Sequence, residues 1–437
     1  MSDKEDVLVI GKGGREHALA WKLSISPHIG TVYVAPGNPG TNEEQGIVNI
    51  DLDGAKPENF PELYNFVKSN NVGTVVCGPE DPLAAGLVDF FHDKGYKRVF
   101  GPTKSAAELE ASKIYSWKLM TRVGLLQADS IEYNDLESAV DAVDEVGGRG
   151  KEGGQDVVIK ADKLCAGKGV LVCDEPPDRK TLEKHLEDYG NEGLVAQRLR
   201  GEEFSVFGFS DGEKVRALQA SFQDHKPRDD CDRGPNTGGM GAYGPAPVAD
   251  SDIVKIVQDQ YMTPLIQKMR EEGRPFVGFL YGGMMMTSDG IYVIEWNIRH
   301  GDPECQPAVA LMNSDLYEVI DLCLNGKADQ ADLSVKPGYS CCIVVAGPDY
   351  PSSSSKGKLI MGVDAANNIA GCKVFHAGTA LNDRGELITA GGRLLGVTSY
   401  HADMKEAQKI AYAGANLIDV QGGKHMRNDI MDKAFGR

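Results

Sequence analysis

The sequence predicts an α/β fold in several domains, with a parallel sheet in its N-terminal part. Over roughly the first hundred residues, β-prone runs alternate with helical stretches, and this order requires parallel strands joined by right-handed crossovers. The 437 residues exceed what one hydrophobic core supports. A composition of 41% hydrophobic and 25% charged residues is that of an ordinary globular protein.

The predicted N-terminal elements follow one another in strand–helix order. The strands span residues 7–10, 31–35, 73–77 and 98–100, and the helices span residues 15–26, 58–69 and 82–94. Ligands of such sheets bind beyond the carboxyl ends of the strands. The first three strands end in turns rich in glycine or proline, at residues 11–14, 35–40 and 78–82. These turns are the first candidate binding loops.

The rest of the chain divides into three further stretches. A helix-rich segment from residue 105 to about 123 leads into a small α+β unit at about 125–205, with strands at 157–160 and 171–173. Strands separated by a long loop then run to about residue 325, and a last α/β unit covers about 335–437.

Charge and cysteine content restrict the partners. The net charge of −18 argues against nucleic acid. The nine cysteines include no C-x-x-C pair and suit a reducing cytosol better than a disulfide scaffold or a zinc site. Apolar runs are far shorter than a membrane span, and no leader-like segment opens the chain. We therefore expect a cytoplasmic protein that binds neither nucleic acid nor membrane.

The end of a predicted strand at residues 291–297 carries the most informative residues. Glu295 and Asn297 lie two positions apart, so on a strand they point to the same face. A carboxylate and an amide oxygen on one face form the hard oxygen site that Mg²⁺ uses when it is shared with substrate phosphates. Arg299 adds a cation for a phosphoryl oxygen. A polar strand end with an unrelated salt bridge explains the pattern equally well.

Two glycine-rich loops are candidate anion sites. Residues 11–14 lie between a strand and a helix, but the third glycine and the ribose-binding acid of a dinucleotide site are missing. Residues 158–170 place Lys160 at a strand end, and Gly167 and Gly169 would let the backbone close over phosphates. The alternatives are a packing turn for the first loop and a hairpin with exposed lysines for the second.

Gln223-Asp224-His225-Lys226 and residues 234–241 bracket a long loop, and the second of these segments is too rich in glycine and proline for a regular element. Such a loop in a compact domain is usually functional or disordered. A single histidine such as His225 is more often structural than catalytic. The sequence places no base near Cys165, Cys231 or Cys305, so we assign no nucleophile.

Together these motifs resemble the phosphoribosylamine–glycine ligase family of the ATP-grasp superfamily. The matching segments follow the family's order through nearly the whole chain, which makes a chance resemblance implausible. They include Gly14-Arg15-Glu16-His17, Ala35-Pro36-Gly37-Asn38, Gly78-Pro79-Glu80, Lys160-Ala161-Asp162, Gln223-Asp224-His225-Lys226, residues 234–243, Gly278-Phe279-Leu280-Tyr281, residues 295–304, residues 374–379 and Gly391-Gly392-Arg393.

The resemblance implies a fold and an activity. The fold has an N-terminal parallel-sheet (pre-ATP-grasp) domain at residues 1–104 and a two-lobed ATP-grasp region at 105–325, with its mobile small lobe at about 125–200. A small C-terminal α/β domain covers residues 326–437. The implied activity uses ATP and Mg²⁺ or Mn²⁺ to join glycine to 5-phosphoribosylamine through glycyl phosphate. The chain is expected to be a monomer, or else a dimer.

The resemblance also implies roles for individual residues. Lys160, Arg299 and Asp302 would be catalytic, and Glu295 and Asn297 would bind the metal. The nucleotide would contact Lys113, Lys160, Ala166, Gly167, Lys168, Gly169, Val170, Gln197, Leu199 and Glu203. Glycine and 5-phosphoribosylamine would contact Gly13, Gly14, Arg15, Asn38, Gly78, Pro79, Glu80, Asp224, Lys226, Asn236, Thr237, Gly238 and Gly239.

Several residues depart from the family pattern, and two alternative functions also have to be weighed: another ligase and an inactive regulator. The departures are Lys163, Cys165, Ala196-Gln197-Arg198, Pro227, Trp296, Ile298, His300, and Met431 in place of a glycine. The nearest alternative is another ATP-grasp ligase with a different acid or amine. A catalytically inactive nucleotide-binding regulator would be expected to lack Lys160, Glu295 or Asn297, and all three are present.

Overall fold

The computed structural model describes residues 4–148, 156–165 and 169–436. Within those ranges the strands form five sheets that together give the mixed α/β architecture expected from the sequence. No helix in the same ranges is both long enough and apolar enough to cross a membrane.

The N-terminal sheet is parallel throughout, which confirms the predicted fold class. Its strands are β1 (Glu5–Gly11), β2 (Ile29–Pro36), β3 (Ile47–Asn49), β4 (Thr74–Cys77) and β5 (Val99–Phe100), in the order β3-β2-β1-β4-β5. Its helices are α1 (Gly14–Ser24), α2 (Pro39–Glu43), α3 (Phe60–Ser69), α4 (Glu80–Ala85) and α5 (Leu87–Asp93). In β1, Val7 and Val9 pack on one face while Leu8 and Ile10 pack on the other, so both faces are buried.

The helical stretches break where the backbone leaves the helical region. The predicted helix at 82–94 is two helices because Gly86 is left-handed, with φ of 94°. The stretch at 105–123 also divides, into α6 (Lys104–Ala111) and α7 (Lys113–Val123). Ser112 between them is extended, and its hydroxyl accepts a hydrogen bond from the N–H of Tyr115. This break makes Lys113 the first residue of α7.

The next unit is a small antiparallel sheet with its own core. Its elements are β6 (Ser130–Tyr133), α8 (Leu136–Gly148), β7 (Val157–Ala161), β8 (Val170–Cys173), α9 (Arg179–Tyr189) and β9 (Gly193–Gln197). The strand order is β6-β9-β7-β8. Tyr133, Val143, Ile159 and Leu186 belong to a hydrophobic cluster confined to this unit.

A larger sheet connects the central and C-terminal parts. The central elements are β10 (Glu202–Asp211), β11 (Val215–Asp224), β12 (Pro227–Asp229), β13 (Arg233–Asn236), β14 (Gly241–Gly244), α10 (Ser251–Val257), α11 (Thr263–Glu271), β15 (Val277–Thr287), β16 (Gly290–Asn297), α12 (Cys305–Leu311) and α13 (Leu316–Leu324). The C-terminal elements are β17 (Tyr339–Ala346), β18 (Ser355–Met361), α14 (Val363–Asn367), β19 (Cys372–His376), β20 (Thr379–Leu381), β21 (Leu387–Gly391), β22 (Arg393–His401), α15 (Met404–Leu417) and β23 (Asp419–Val420).

The pairing of β14 with β17 joins these two parts into one sheet. The strand order is β16-β15-β10-β11-β14-β17-β22-β19, with Gly241 opposite Ile343 and Gly244 opposite Ser340. Strand β16, which carries Glu295 and Asn297, therefore lies at one edge, and three strands of the C-terminal part, β17, β22 and β19, lie at the other end. Separately, β20, β21, β18 and β23 form a four-stranded sheet.

Met431 stands where the family resemblance predicts a glycine. Its φ of 78° lies in the left-handed region, which costs an L-residue about 1–2 kcal/mol. Its side chain is fully buried, and removing a buried methionine side chain costs about 2–5 kcal/mol. The lost packing therefore outweighs the relieved strain. We expect Met431→Gly to be less stable than the native chain by about 1–3 kcal/mol.

The control for this prediction is Met431→Ala, which loses nearly the same packing but retains the strain. Thermal unfolding should order the proteins as native, then glycine variant, then alanine variant. A glycine variant as stable as the native chain would show that the Met431 side chain contributes no net stability.

Candidate active site

The predicted metal pair lies on one face at the end of β16. The Asn297 amide nitrogen lies 3.2 Å from Glu295 Oε1. A β-bulge places Ile294 as an extra residue before Glu295, which pairs with Gly283. Burial raises the pKa of Glu295, but Lys226, Lys113, the Asn297 amide and Lys160 together hold it at about 2. Glu295 is therefore a carboxylate at any physiological pH.

Lys160 links the small sheet to this strand. It stands near the end of β7, and its Nζ donates to the carbonyl of Ile294 at 3.2 Å. Burial lowers the pKa of Lys160 to about 8, although Glu295 acts in the opposite direction. The carbonyl at the bulge thus holds a lysine from the small sheet beside the Glu295 carboxylate.

Arg299 is surrounded by acceptors of its own chain. Its Nη2 donates to Asn297 Oδ1 at 3.2 Å and to Glu110 Oε1 at 2.8 Å, and its Nε donates to Glu80 Oε2 at 3.1 Å. Its Nη1 donates to the carbonyl of His300 at 3.2 Å. Two carboxylates therefore balance its charge, while one of its hydrogen bonds orients Asn297. The strand end combines an ion network with the predicted metal pair.

The first glycine loop encloses a carboxylate of the chain itself. Glu16 Oε2 accepts the N–H of Gly13 at 2.7 Å, and Arg15 Nε donates to Glu16 Oε1 at 2.6 Å. A side chain at Gly11 or Gly78 would collide with Glu16. The packing alternative thus accounts for these two glycines. The sequence signal for Glu16 is a glutamate at the third position of a helix, where it can cap the helix N-terminus.

The other N-terminal loops hold this network in place. Arg15 Nη2 lies 3.6 Å from Glu80 Oε2, and its Nη1 donates to the carbonyl of His300 at 3.1 Å. Pro79 precedes α4, so Glu80 is the first helical residue. The buried amide of Asn38 donates to the carbonyls of Lys12 and His376, both at 2.9 Å. Asn38 therefore joins the N-terminal and C-terminal parts.

Asp302 lies where all three parts of the chain meet. Its Oδ1 accepts from Gln306 at 2.8 Å, and its Oδ2 lies 3.0 Å from Arg393 Nη2. Arg393 Nη1 donates to the carbonyls of Gly238 and Asp302, both at 2.5 Å. A side chain added at Gly14 would meet Gln306 and lie 3.6 Å from Asp302. Sequence reasoning assigned no role to Arg393, although its Gly-Gly-Arg motif was visible.

The loop after β11 brings a second lysine to the site. Lys226 Nζ lies 3.1 Å from Glu203 Oε2. The carboxylate of Glu203, with those of Asp224 and Glu295, raises the pKa of Lys226 well above its usual value, although burial acts in the opposite direction. Burial, with the carboxylates of Glu304, Glu203 and Glu295, raises the pKa of Asp224 to about 7 against the effect of Lys226. Glu304, which accepts from Tyr281 OH at 3.0 Å, was not assigned from the sequence.

The predicted adenine hinge connects the small sheet to β10. Gln197 donates its N–H to the carbonyl of Asp129 at 2.8 Å, and Leu199 lies in the connection before β10. Val170 begins β8, and the carbonyl of Gly169 just before it accepts from the N–H of Ala161 at 2.9 Å. Ala166, Gly167 and Lys168 lie outside the described residues. Lys163 is exposed.

Two departures from the family pattern, His300 and Trp296, are buried side chains. The His300 ring lies 4.4 Å from that of Phe279 and 4.5 Å from that of Phe207, measured between centroids. Burial lowers the pKa of His300 to about 3, so the ring stays neutral. The Trp296 side chain is also buried. His300 therefore packs as a neutral ring among aromatic side chains, and Trp296 belongs to the apolar core.

These features define an ATP-grasp protein: a small antiparallel lobe carries a lysine toward an acidic strand of a larger lobe. Residues 5–110, 111–305 and 340–433 match the N, ATP-grasp (A) and C domains of the Phosphoribosylglycinamide synthetase family. The chain belongs to that family and is an ATP-dependent ligase of purine biosynthesis.

Individual relatives and solved structures agree. The chain is 44% identical to a phosphoribosylamine–glycine ligase of Rhodopirellula baltica, over 99% of this chain and 98% of the relative. It is 42% identical to that of Neisseria meningitidis, over 99% and 100%. The crystal structure of the Thermotoga maritima phosphoribosylamine–glycine ligase superposes with a TM-score of 0.80 at 29% identity, covering 97% of this chain and 100% of that one.

A more distant structure shows the same fold alone. The biotin carboxylase domain of Hydrogenobacter thermophilus 2-oxoglutarate carboxylase superposes with a TM-score of 0.71 at 15% identity. The alignment covers 98% of this chain and 92% of that domain.

Proposed function

We propose that this chain joins glycine to 5-phosphoribosylamine through a glycyl phosphate, giving glycinamide ribonucleotide, ADP and phosphate, and that the residues around β16 carry the reaction. The observation that carries this assignment is the contact of Lys160 with the Ile294 carbonyl, next to Glu295. It places a cation of the small lobe and an ionised carboxylate of the large lobe around one point. Phosphoryl transfer needs positioning and charge neutralisation there.

Glu295 and Asn297 fit a hard divalent cation, which we propose to be Mg²⁺ or Mn²⁺. The carboxylate is ionised, and the Asn297 oxygen has a second lone pair beside the one used by Arg299. When bound, the ion would neutralise negative charge on the phosphate oxygens. Arg299 fixes the Asn297 amide, and the buried Glu110 carboxylate fixes Arg299 through an ion pair.

The nucleotide would lie between the small lobe and β16. We assign its phosphates to Lys113 and Lys160, its adenine to the backbone at Gln197 and Leu199, and its ribose to Glu203. The Ala166–Val170 loop would cover the phosphates. The small lobe has a hydrophobic core of its own, which supports movement of the lobe as one body. Water would then be kept from the acyl phosphate.

The substrates would lie at the junction of the three parts. Arg15, Lys226 and Arg299 supply positive charge there, and Asp302 lies beside Gly13 and Gly14. The proposed contacts are Gly13, Gly14, Arg15, Asp224, Lys226, Asn236, Thr237, Gly238 and Gly239. Asn38, Gly78, Pro79 and Glu80 would act by holding these residues, since their contacts are mainly with protein groups.

The activity itself gives a direct test. ADP release should reach its full rate only when glycine and freshly made phosphoribosylamine are both present. Alanine and a dicarboxylic amino acid serve as matched alternatives to glycine. Equal turnover with either of them would contradict the proposed activity and show that the chain is an ATP-grasp ligase for a different acid.

We further propose a cytoplasmic protein, a monomer or else a dimer, whose partners are these small molecules and not nucleic acid or membrane. All nine cysteines are free thiols, as expected in a reducing compartment, and the net charge is −18.

A further inference from the structure

Residues 225–240 connect β11 to β14, and we name this segment the substrate loop; it contains a short hairpin. Residues 227–236 form the hairpin, in which β12 and β13 pair antiparallel with Pro227 opposite Asn236. Its base is closed by Thr237, whose N–H and hydroxyl both donate to the carbonyl of Lys226 at 2.8 Å. The two chain ends of the hairpin are therefore Lys226 and Thr237, two of the proposed substrate contacts.

The tip of this hairpin has an unfavourable backbone. Cys231 and Asp232 have φ of 61° and 55°, and Gly234 has φ of 79°. Two consecutive left-handed residues other than glycine persist only where surrounding contacts fix them. The contacts of the tip therefore decide whether the hairpin keeps this shape.

Those contacts come from the C-terminal segment, residues 425–433, which we name the clamp. Asp429 Oδ2 accepts the N–H of Cys231 at 2.7 Å. The backbone N–H and side-chain amide of Asn428 donate to Asp230 at 2.7 and 3.0 Å. Further bonds join Lys433 to Asp232 at 2.6 Å and His425 to the carbonyl of Arg228 at 2.9 Å.

Arg427 is the centre of the clamp. Its side chain is fully buried and grips Asp429 with two parallel bonds of 2.7 Å. Its remaining terminal nitrogen donates to Asp232 and to the carbonyl of Pro227, both at 3.0 Å. One planar guanidinium thus ties the tip and the base of the hairpin together, a geometry that a lysine cannot reproduce.

The loop is held on its opposite side by the C-terminal part as well. Arg228 donates to the carbonyls of Tyr350 and Pro348 at 2.7 and 2.8 Å. Tyr350 OH accepts the N–H of Gly238 at 3.0 Å. The C-terminal part therefore fixes the substrate loop on both sides of Lys226 and Thr237.

We propose that Arg427 is a positioning residue for 5-phosphoribosylamine: through Asp232, Asp429 and Pro227 it holds the hairpin so that Lys226 and Thr237 present one arrangement to the sugar phosphate. The proposal rests on the function proposed above. Because the clamp contacts neither Lys160 nor β16 among the described residues, its loss should weaken binding of the amine substrate and leave ATP binding intact.

Two variants test this role. Arg427→Lys keeps a buried cation but loses the fork, and Asp230→Ala removes only the bonds to Asn428 at the tip. We expect Arg427→Lys to raise KM for phosphoribosylamine about tenfold and Asp230→Ala to raise it less, with KM for ATP unchanged in both. Asp383→Ala, in an exposed loop of the C-terminal part, is the matched control.

Hydrogen exchange and ligand binding test the positioning role of Arg427 independently of the proposed ligase activity. The amides of Cys231 and Thr237 should exchange faster in both variants, and ribose 5-phosphate should bind more weakly, whether or not the chain turns over. Unchanged exchange in both folded variants would refute the clamp. Faster exchange with unchanged KM and unchanged ribose 5-phosphate binding would refute its positioning role. Equal increases in KM for ATP and for the amine would show a general structural effect instead.

Discussion

Lys160→Met is expected to lower kcat/KM for ATP by about 100- to 1,000-fold, the cost of removing one preorganised charge from a transition state. Lys160 reaches from the small lobe to β16, the strand that carries Glu295, where its Nζ donates to the carbonyl of Ile294. Methionine has a similar shape but cannot neutralise phosphate charge. Steady-state ADP release measures the change. Lys184→Met, on the exposed face of α9 in the same lobe, is the matched control.

The same lysine should set a pH dependence. Because burial lowers the pKa of Lys160 to about 8, its ammonium loses a proton as the pH rises through that value. Nucleotide phosphates bind the charged form, so ATP affinity measured without divalent metal should fall above pH 8. Lys226 stays charged there because its pKa is raised. A Lys160→Met protein that keeps both native turnover and this fall in affinity would exclude the assignment.

Glu295→Gln is expected to raise the metal concentration needed for half-maximal turnover and to lower activity by about 10- to 100-fold. Glutamine keeps the shape but removes the charge that attracts the cation. Asn297→Ala should act in the same direction, because it removes the neighbouring oxygen on the same strand face. Metal titrations of ADP release at fixed ATP measure both effects.

The control for the metal assignment is Glu271→Gln. Glu271 is the last residue of α11, and among the described residues its ion-pair partner is the nearby Lys268. Its metal titration should overlay that of the native chain. Native metal dependence in both Glu295→Gln and Asn297→Ala would place the ion elsewhere. Loss of folding, checked by thermal unfolding, is not expected because neither residue contributes to the apolar core.

Motifs with a local period were predictable. The alternation of strand and helix gave the parallel N-terminal sheet, and the spacing of Glu295 and Asn297 gave their shared face. The strand β3 was not predicted, because three residues carry too little pattern. The break at Gly86 was missed because a single glycine within a helical pattern is often tolerated.

Partners distant in sequence were not predictable. Nothing local indicates that Glu110 and Glu80 would balance Arg299, that Glu16 would fill the first glycine loop, or that Arg393 would reach Asp302. The Ile294 carbonyl receives Lys160 only because of a bulge defined by the pairing with β15.

The fold class, the family and the residue types of the site could therefore be predicted from the sequence, because periodicity and motifs are properties of neighbouring residues. The folded chain was needed to show which charges pair, which glycines enclose a side chain and which segment holds the substrate loop. Those outcomes depend on contacts between residues far apart in the chain, such as Arg427 and Asp232, and on burial, which raises the strength of each such contact.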